Sequence, residues 1–274
     1  MLRLPEHDHE EVISNGRIHE QGDRPAIHFK TIPNMTFAEL ILAFNASLDL
    51  DSSLLPDGIA VMNPFRGEYA ETIRDVTSRF YHKYYSDTSP RHLILGINPG
   101  RFGAGVTGVP FTDTKRMRDV CGIDMAIDPT HEPSSVFVYE VVKAFGGPAS
   151  FYSRFYINSV CPLGFTRRND KGNEVNYNFY DDRHLQKAVT PFIMDCIEKQ
   201  IGFGAATDRC FCMGRGKNFT FLNALNKKTG WFDEVVPLDH PRFVVQYRSK
   251  RMAEYVTSYT EALSRAGESP ARDN

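Results

Sequence analysis

The sequence predicts an α/β fold, a three-layer α/β/α arrangement around a central four-stranded parallel sheet. Four short apolar runs are separated from one another by helical patterns, an alternation typical of parallel sheets with helices on both faces. Three of these runs pass directly into loops rich in Gly, Pro, Asn or His. Because ligands of such sheets bind at the carboxyl ends of the strands, we expect the three loops to converge on one site.

The helices are marked by capping residues and by apolar periodicity. Residues 36–39 (TFAE) form a capping-box pattern ahead of a helical run over residues 40–48. Residues 134–145 read as a helix that the pair Gly146-Gly147 ends. The other predicted helices cover residues 69–86, residues 181–201 with a bend at Pro191, residues 217–227 and residues 249–265.

The four predicted strands are short and apolar, and three of them end beside polar or special residues. The loop 98–112 follows the first strand, Asn158 follows the second, and Asp239-His240-Pro241 follows the fourth. The strands themselves are predicted over residues 93–97, 155–157, 210–213 and 235–238.

Length and composition are those of an ordinary globular protein. The 274 residues are 41% hydrophobic and 24% charged, enough to build a core without disulfides or metals. We expect one folded domain over residues 34–265, a mobile polar leader over residues 1–33 and a frayed tail over residues 266–274. No apolar signal segment and no run of 18 apolar residues occur, which predicts a cytoplasmic protein that does not enter a membrane.

Cysteine usage and charge narrow the possible ligands. The five cysteines are odd in number and form no CxxC pair, so we expect neither a zinc site nor an iron–sulfur cofactor. The net charge is −2, but residues 209–251 carry nine basic groups against three acidic ones. Such a local excess is compatible with a phosphate-binding face on a near-neutral protein.

The most unusual segment is GINPGRFGAGVTGVPF, residues 96–111. Five glycines and two prolines in sixteen residues specify a fixed backbone that a flat ligand can approach closely. The same segment contains a literal GxGxxG pattern at residues 103–108, which would indicate a dinucleotide-binding oxidoreductase. That pattern has to lead straight from a strand into a helix, whereas here it begins well after the strand and Pro110 follows it. A dinucleotide enzyme is therefore the weaker interpretation.

Three segments together resemble a known family. GINPGRFGAGVTGVPF resembles the first motif of the single-strand-selective monofunctional uracil-DNA glycosylases, within the uracil-DNA glycosylase superfamily. NSVCPL, residues 158–163, resembles the Asn-containing segment of that family, and His240-Pro241 resembles the start of its third motif. The resemblance extends from about residue 93 to residue 256. The departures from the motifs make the second, mostly bacterial subfamily the better match.

The resemblance implies a reaction and two catalytic residues. The implied enzyme hydrolyses the N-glycosidic bond of uracil, or of another deaminated base such as xanthine or hypoxanthine, flipped out of DNA; it leaves an abasic site for base excision repair. Asn98 would orient the attacking water, at a position where other branches of the superfamily use Asp. His240 would donate a hydrogen bond to the 2-carbonyl oxygen of the base. Fixed donors aimed at developing charge suit this chemistry, which needs no cofactor.

The resemblance also implies a pocket for the base. Phe111 would stack on the flipped base, and Asn158 would contact its Watson–Crick edge. In relatives one residue separates this Asn from Cys-Pro, whereas here Ser159 and Val160 both intervene. Either Asn158 or Ser159 therefore remains a candidate for reading the base. The full set of predicted base-binding residues is Gly96, Ile97, Phe102, Phe111, Asn158 and Ser159.

DNA is the expected partner, bound by a monomer. The third motif continues His-Pro with Arg242-Phe243 in place of the family's Ser-Pro-Arg, so either side chain is a candidate for the wedge that fills the space left by the flipped base. Arg248, Lys250 and Arg251 suit phosphate contacts. A non-catalytic module that binds single-stranded nucleic acid is the alternative from another class, because basic and aromatic residues alone would allow it.

Overall fold

The computed structural model describes residues 34–268, so the leader predicted for residues 1–33 lies outside the described residues. The helices are α1 Phe37–Ser47, α2 Ala70–Tyr85, α3 Ala104–Thr107, α4 Thr114–Asp119, α5 Pro133–Ala144, α6 Pro148–Tyr152, α7 Arg183–Gly202, α8 Lys217–Thr229, α9 Pro241–Tyr247 and α10 Met252–Ser264. The strands are β1 Ile59–Met62, β2 His92–Gly96, β3 Phe155–Ser159, β4 Gly164–Arg168, β5 Glu174–Tyr177, β6 Ala206–Met213 and β7 Glu234–Leu238. Single 3-10 turns occur at Ser52–Leu54 and Ser249–Arg251.

The central sheet consists of four parallel strands in the order β3-β2-β6-β7. The middle strand β2 is apolar on both faces, with Leu93, Ile94 and Leu95 all buried, and so is the second half of the other middle strand, β6, over Cys210, Phe211, Cys212 and Met213. Continuous apolar runs of this kind form where helices cover both sides of a sheet. The predicted α/β fold with a four-stranded parallel sheet flanked by helices is confirmed.

A second, smaller sheet was not predicted from the sequence. Strands β1, β4 and β5 pair antiparallel in the order β1-β4-β5. The β5 sequence, EVNY, alternates polar and apolar residues over only four positions, a run too short for a periodicity argument to identify as a strand. This sheet matters for function because the chain leaving β5 passes the carboxyl edge of the central sheet.

The six predicted helices are present in the predicted order with differences at their ends, and four further helices, α3, α4, α6 and α9, were not predicted. The capping box of α1 is formed, with Thr36 and Glu39 each bonding to the other's backbone N–H. The helix α7 continues through Pro191. The last helix, predicted over residues 249–265, divides into the 3-10 turn and α10, whereas α9, which begins at Pro241 directly after the fourth predicted strand, was not predicted. A proline is favoured in a first helical turn, since its missing N–H would have no intrahelical partner there.

One buried cation ties the start of β2 to its surroundings. The Arg91 side chain has no exposed surface, and its Nη2 lies 2.8 Å from an Asp87 carboxylate oxygen. Its guanidinium also donates to the carbonyls of Tyr152 and Ser89 and lies over the rings of Phe37 and Tyr85. Arg91 holds the pKa of the Asp87 carboxyl well below its usual range. A buried charge is tolerated here because each face of the guanidinium has a partner.

The described end of the chain packs on the sheet. Ala266 is buried, and the Gly267 backbone N–H donates to the Asp208 carboxylate at 3.2 Å. Residues 269–274, the rest of the predicted tail, lie outside the described residues. From residue 34 to residue 268, no helix is long and apolar enough to cross a lipid bilayer.

Replacing Arg91 by methionine tests the role of this cation in stability. The variant keeps the volume but leaves the carbonyls of Tyr152 and Ser89 without their donor, so we expect a loss of about 2–3 kcal/mol in the free energy of unfolding. Urea denaturation measures this quantity. Arg66→Met is the matched control, because Arg66 pairs with Asp49 at the exposed surface and should change stability by less than about 1 kcal/mol. Equal effects of the two substitutions would contradict the assignment.

Candidate active site

A cleft with a volume of about 390 Å³ opens at the carboxyl edge of the central sheet. It is bounded by the loop after β2, the end of β3, the connection from β6 to α8 and the start of α9. The converging loops that the sequence predicted therefore do meet. The side chains that line the cleft include those of Asn98, Phe111, Glu132, Ser159, Tyr180, Lys217, Asn218, His240, Arg242 and Phe243.

The floor of the cleft is an aromatic ring packed on bare backbone. A Cβ atom on Gly96 would lie 2.9 Å from Cε2 of Phe111, so the ring occupies the space that any side chain at position 96 would need. Phe111 adopts a φ of 53°, a strained conformation for an aromatic residue that costs on the order of 1–3 kcal/mol. The Thr107 hydroxyl, which donates to the carbonyl of Thr112 at 2.6 Å, stabilises the turn that holds it.

Asn98 is held by backbone hydrogen bonds on three sides. Its Nδ2 donates to the carbonyls of Tyr177 and Pro99, at 3.3 and 3.4 Å, and its Oδ1 accepts from the Phe179 N–H at 3.2 Å. The amide thus fastens the first motif to the chain that leaves β5. A carbonyl oxygen has two lone pairs, so Oδ1 keeps one for a ligand in the cleft.

His240 presents a neutral ring with a defined tautomer. It caps α9, where its Nδ1 accepts the Arg242 backbone N–H at 3.2 Å. In a neutral imidazole the proton then resides on Nε2, which becomes a donor. Burial, reinforced by the nearby Arg242 charge, lowers the pKa of His240 to about 4. The ring lies 6.2 Å from the Phe111 ring, between centroids.

The structure separates Asn158 from Ser159. Successive residues of a strand face opposite sides, and both residues belong to β3. Asn158 turns away from the cleft: its Nδ2 donates to the Tyr156 hydroxyl at 2.8 Å and its Oδ1 accepts the Ser159 N–H. Ser159, paired in register with Gly96, lines the cleft. Of the two candidates for reading the base, Ser159 lines this cleft, whereas Asn158 lines a smaller adjoining cavity that shares Pro99, Ala104 and Pro110 with the cleft.

Several lining residues were missed from the sequence. Asn218, in the first turn of α8, is buried and donates through Nδ2 to the carbonyls of Gly96 and Met213, which ties β2 to β6. Its Oδ1 has no hydrogen-bond partner among the described residues. Tyr180 and Lys217 form the opposite wall, with the ammonium 5.7 Å from the ring centroid. The sequence did contain one signal for these residues, because the glycine-rich segment Gly214-Arg215-Gly216 directly follows the third predicted strand.

The predicted DNA contacts lie on one rim. Arg242 and Phe243 line the mouth of the cleft, and the Arg248 guanidinium lies 5.2 Å from the Phe243 ring centroid. Arg248, Lys250 and Arg251 continue this rim over an adjoining shallow surface. Two of the remaining predicted base-binding residues belong to the cleft, since Ile97 lines it and Gly96 supports its floor. The third, Phe102, does not line the cleft; its ring is 55% exposed and lies beneath the Arg101 guanidinium.

The glycine pattern at residues 103–108 does not have dinucleotide-binding geometry. The helix that follows Gly103 is α3, only four residues long, and it ends at Gly108. A dinucleotide site needs a longer helix whose amino end faces the phosphates. Within residues 34–268, no group of three or more His, Cys, Asp or Glu side chains is arranged to hold a metal ion.

The tautomer and the protonation of His240 can be measured directly. Because burial disfavours the charged ring, we expect the His240 imidazole to titrate near pH 4 rather than near its ordinary value of 6.5. Long-range ¹H–¹⁵N NMR spectra should show Nε2 protonated at neutral pH, with signals assigned by comparison with His240→Gln. A midpoint near 6.5, or a proton on Nδ1, would refute this description of the ring.

Comparison with known proteins places this site in a family. Residues 82–264 match the model of the uracil DNA glycosylase superfamily. The single-strand selective monofunctional uracil-DNA glycosylases of Rattus norvegicus and Mus musculus are each 29% identical over 147 residues, covering 47% of this chain and 50% of theirs. The chain thus spans about half the length of the curated relatives it matches.

A solved structure is more similar over a longer stretch. The crystal structure of wild-type Pedobacter heparinus SMUG2 shares 48% identity and a TM-score of 0.82, covering 86% of this chain and all of that one. The resemblance that the three motifs predicted is confirmed. The chain belongs to the uracil DNA glycosylase superfamily.

Proposed function

We propose that this protein is a monofunctional DNA glycosylase that hydrolyses the N-glycosidic bond of uracil or another deaminated base and leaves an abasic site for base excision repair. The observation that carries the proposal is the meeting of a neutral His240 donor, an anchored Asn98 acceptor and the Phe111 ring in one cleft. Localisation in the cytoplasm and a monomeric state remain predictions from the sequence.

His240 stabilises the leaving base. As the N-glycosidic bond breaks, its electron pair moves onto the base, and in uracil negative charge collects on the 2-carbonyl oxygen. An Nε2–H donor held by the backbone of α9 can meet this charge without reorganising. A neutral donor keeps its proton, so the base departs as an anion rather than waiting for full protonation. The depressed pKa of His240 favours this mode of action.

Asn98 orients the attacking water. Its Oδ1 retains one acceptor site, which can receive a hydrogen bond from a water beside C1′ of the sugar. An amide oxygen is a weak base, so its contribution is position rather than proton removal. The three backbone contacts of the amide give that position the required rigidity.

Ser159 and Phe111 receive the base. The ring of Phe111 offers a stacking surface at the cleft floor, and the Ser159 hydroxyl can donate or accept at the base edge. A hydroxyl that serves in both roles discriminates less than an amide with a fixed donor and acceptor. This property supports a substrate range that includes xanthine and hypoxanthine besides uracil.

Base release from labelled oligonucleotides tests the proposed activity. Substrates with a single uracil, xanthine or hypoxanthine should yield abasic sites with the wild type. His240→Ala and Asn98→Ala should each reduce the single-turnover rate by about 100-fold, the loss typical for a fixed hydrogen-bonding group of this kind. Ser159→Ala should change the ratio of rates among the three bases.

The control variant is Lys171→Ala, which lies in the turn between β4 and β5, away from the lining residues, and should retain wild-type rates. Binding of oligonucleotides without release of any of the three bases would refute the enzymatic proposal. It would instead support a module that binds single-stranded nucleic acid.

Phe243 is the stronger candidate for the wedge. Its ring is exposed at the cleft mouth. The Tyr247 ring supports it, at 5.8 Å between centroids, and the Arg248 guanidinium lies over the Phe243 ring. Apolar side chains inserted between base steps unstack DNA, a role that a supported ring suits. Arg242, in the same turn, faces the Glu132 carboxyl group and is better placed to contact that group or a phosphate.

We therefore expect Phe243→Ala to reduce base release from duplex DNA about tenfold more than from single strands. In a single strand, no wedge is needed to fill the space that the flipped base leaves in the stack. Parallel assays on the two substrates measure the ratio. Tyr69→Ala removes an aromatic side chain that is exposed but does not line the cleft and should leave the ratio unchanged. Equal losses on duplex and single strands would exclude Phe243 as the wedge.

A further inference from the structure

Glu132 is the one acidic side chain among the described residues that line the cleft. It immediately precedes α5, and its backbone N–H donates to the Asp113 carboxylate at 3.0 Å while its own carbonyl accepts from Ser135. These contacts fix the main chain and leave the carboxyl group to extend into the cleft. The side chain therefore has no part in capping the helix.

The carboxyl group lies against the glycine-rich loop. A Cβ atom on Gly103 would lie 2.3 Å from Oε2 and 2.8 Å from Oε1 of Glu132, so this glycine leaves the space that the carboxyl group fills. Oε2 is buried and has no hydrogen-bond partner among the described residues. A buried carboxyl oxygen without a partner is costly to maintain, and such groups are found where a ligand completes the hydrogen bonding.

The charges around Glu132 come from three elements. Asp113 faces it from the start of α4, and Arg116 and His131 lie beside Asp113, at 3.1 and 3.8 Å from its Oδ2. Arg242 faces it from α9. Burial and the Asp113 charge raise the pKa of Glu132 to about 7, with Arg242 acting in the opposite direction. The other ionisable side chains that line the cleft are His240, Lys217, Tyr180 and Tyr247.

We propose that Glu132 is the general base of the glycosylase reaction, taking the proton from the water that Asn98 orients. This inference rests on the proposed function and supplies what Asn98 lacks, a group basic enough to accept a proton. A carboxyl whose proton affinity matches the working pH is the efficient choice for such a step.

The step is balanced without any further reactant. The water oxygen forms a bond to C1′ of the sugar, and one water proton moves to the Glu132 carboxylate. The C1′–N bond breaks, and its electron pair leaves with the base as an anion facing His240. The proton then passes from Glu132 through solvent to the base. The products are an abasic sugar with a hydroxyl on C1′ and the neutral free base, and Glu132 is again ionised.

The test is the pH dependence of single-turnover base release with enzyme in excess. With the wild type, we expect the rate to rise with unit slope from about pH 5.5 and to level above about pH 7. Glu132→Gln should be about 100-fold slower at pH 8 and lose the rising limb, while its DNA dissociation constant stays the same or falls. Glu132→Asp should restore the limb at a lower plateau, and thermal melting of each variant confirms that it is folded.

Two controls separate Glu132 from its neighbours. Glu140→Gln removes an exposed carboxyl from α5 that does not line this cleft, and His131→Asn removes the imidazole beside Asp113; both should retain the wild-type profile. A Glu132→Gln variant with the wild-type profile, or with a higher rate, would overturn the proposal while base release by the wild type still supported the glycosylase. A wild type that releases no base would overturn both.

Discussion

The packing of the Phe111 ring on Gly96 is the contact on which the site depends. Gly96 ends β2, the strand between β3 and β6, and its missing side chain lets an aromatic ring lie where the backbone would otherwise be covered. The ring reaches this place only in a strained conformation, which the buried Thr107 hydroxyl holds. Once the ring is fixed, the ends of β3 and β7 bring Ser159 and His240 to its edges. The strain is thus located where the pocket needs a rigid surface.

Burial shifts the pKa values of His240 and Glu132 in opposite directions. It lowers the pKa of His240 to about 4 and raises that of Glu132 to about 7, because low polarity disfavours the charged form of each. The first remains a neutral donor, and the second exchanges its proton near neutral pH. A cleft that must receive a departing anion gains from carrying little fixed negative charge. Burial therefore keeps His240 a neutral donor on the base side of the N-glycosidic bond and makes Glu132 a proton acceptor on the sugar side.

The sequence predicts the parallel sheet and the convergence of its loops because buried strands and strand-end glycines leave strong local patterns. It does not decide between Asn158 and Ser159, since neighbouring strand residues face opposite sides and the pairing with Gly96 is what determines the face. Glu132 and Asn218 escape prediction for another reason. Their partners, Gly103 and Gly96, are distant in the chain, and no periodic pattern records such contacts.

The basic side chains at the rim of the cleft are partly paired with carboxylates, unlike those of a surface that binds DNA by charge alone. Arg251 on this rim is paired with Glu254 at 2.6 Å, and Arg215, between the lining residues Gly214 and Gly216, is paired with Asp239 at 3.0 Å, so both basic groups already have carboxylate partners. Pairing with phosphate has to displace these contacts, which weakens binding that is independent of sequence and damage. The aromatic residues Phe243 and Tyr247 project beside them. Under the proposed function, recognition depends on extruding a base into the cleft, and undamaged pairs, which cost more to open, are left in the stack.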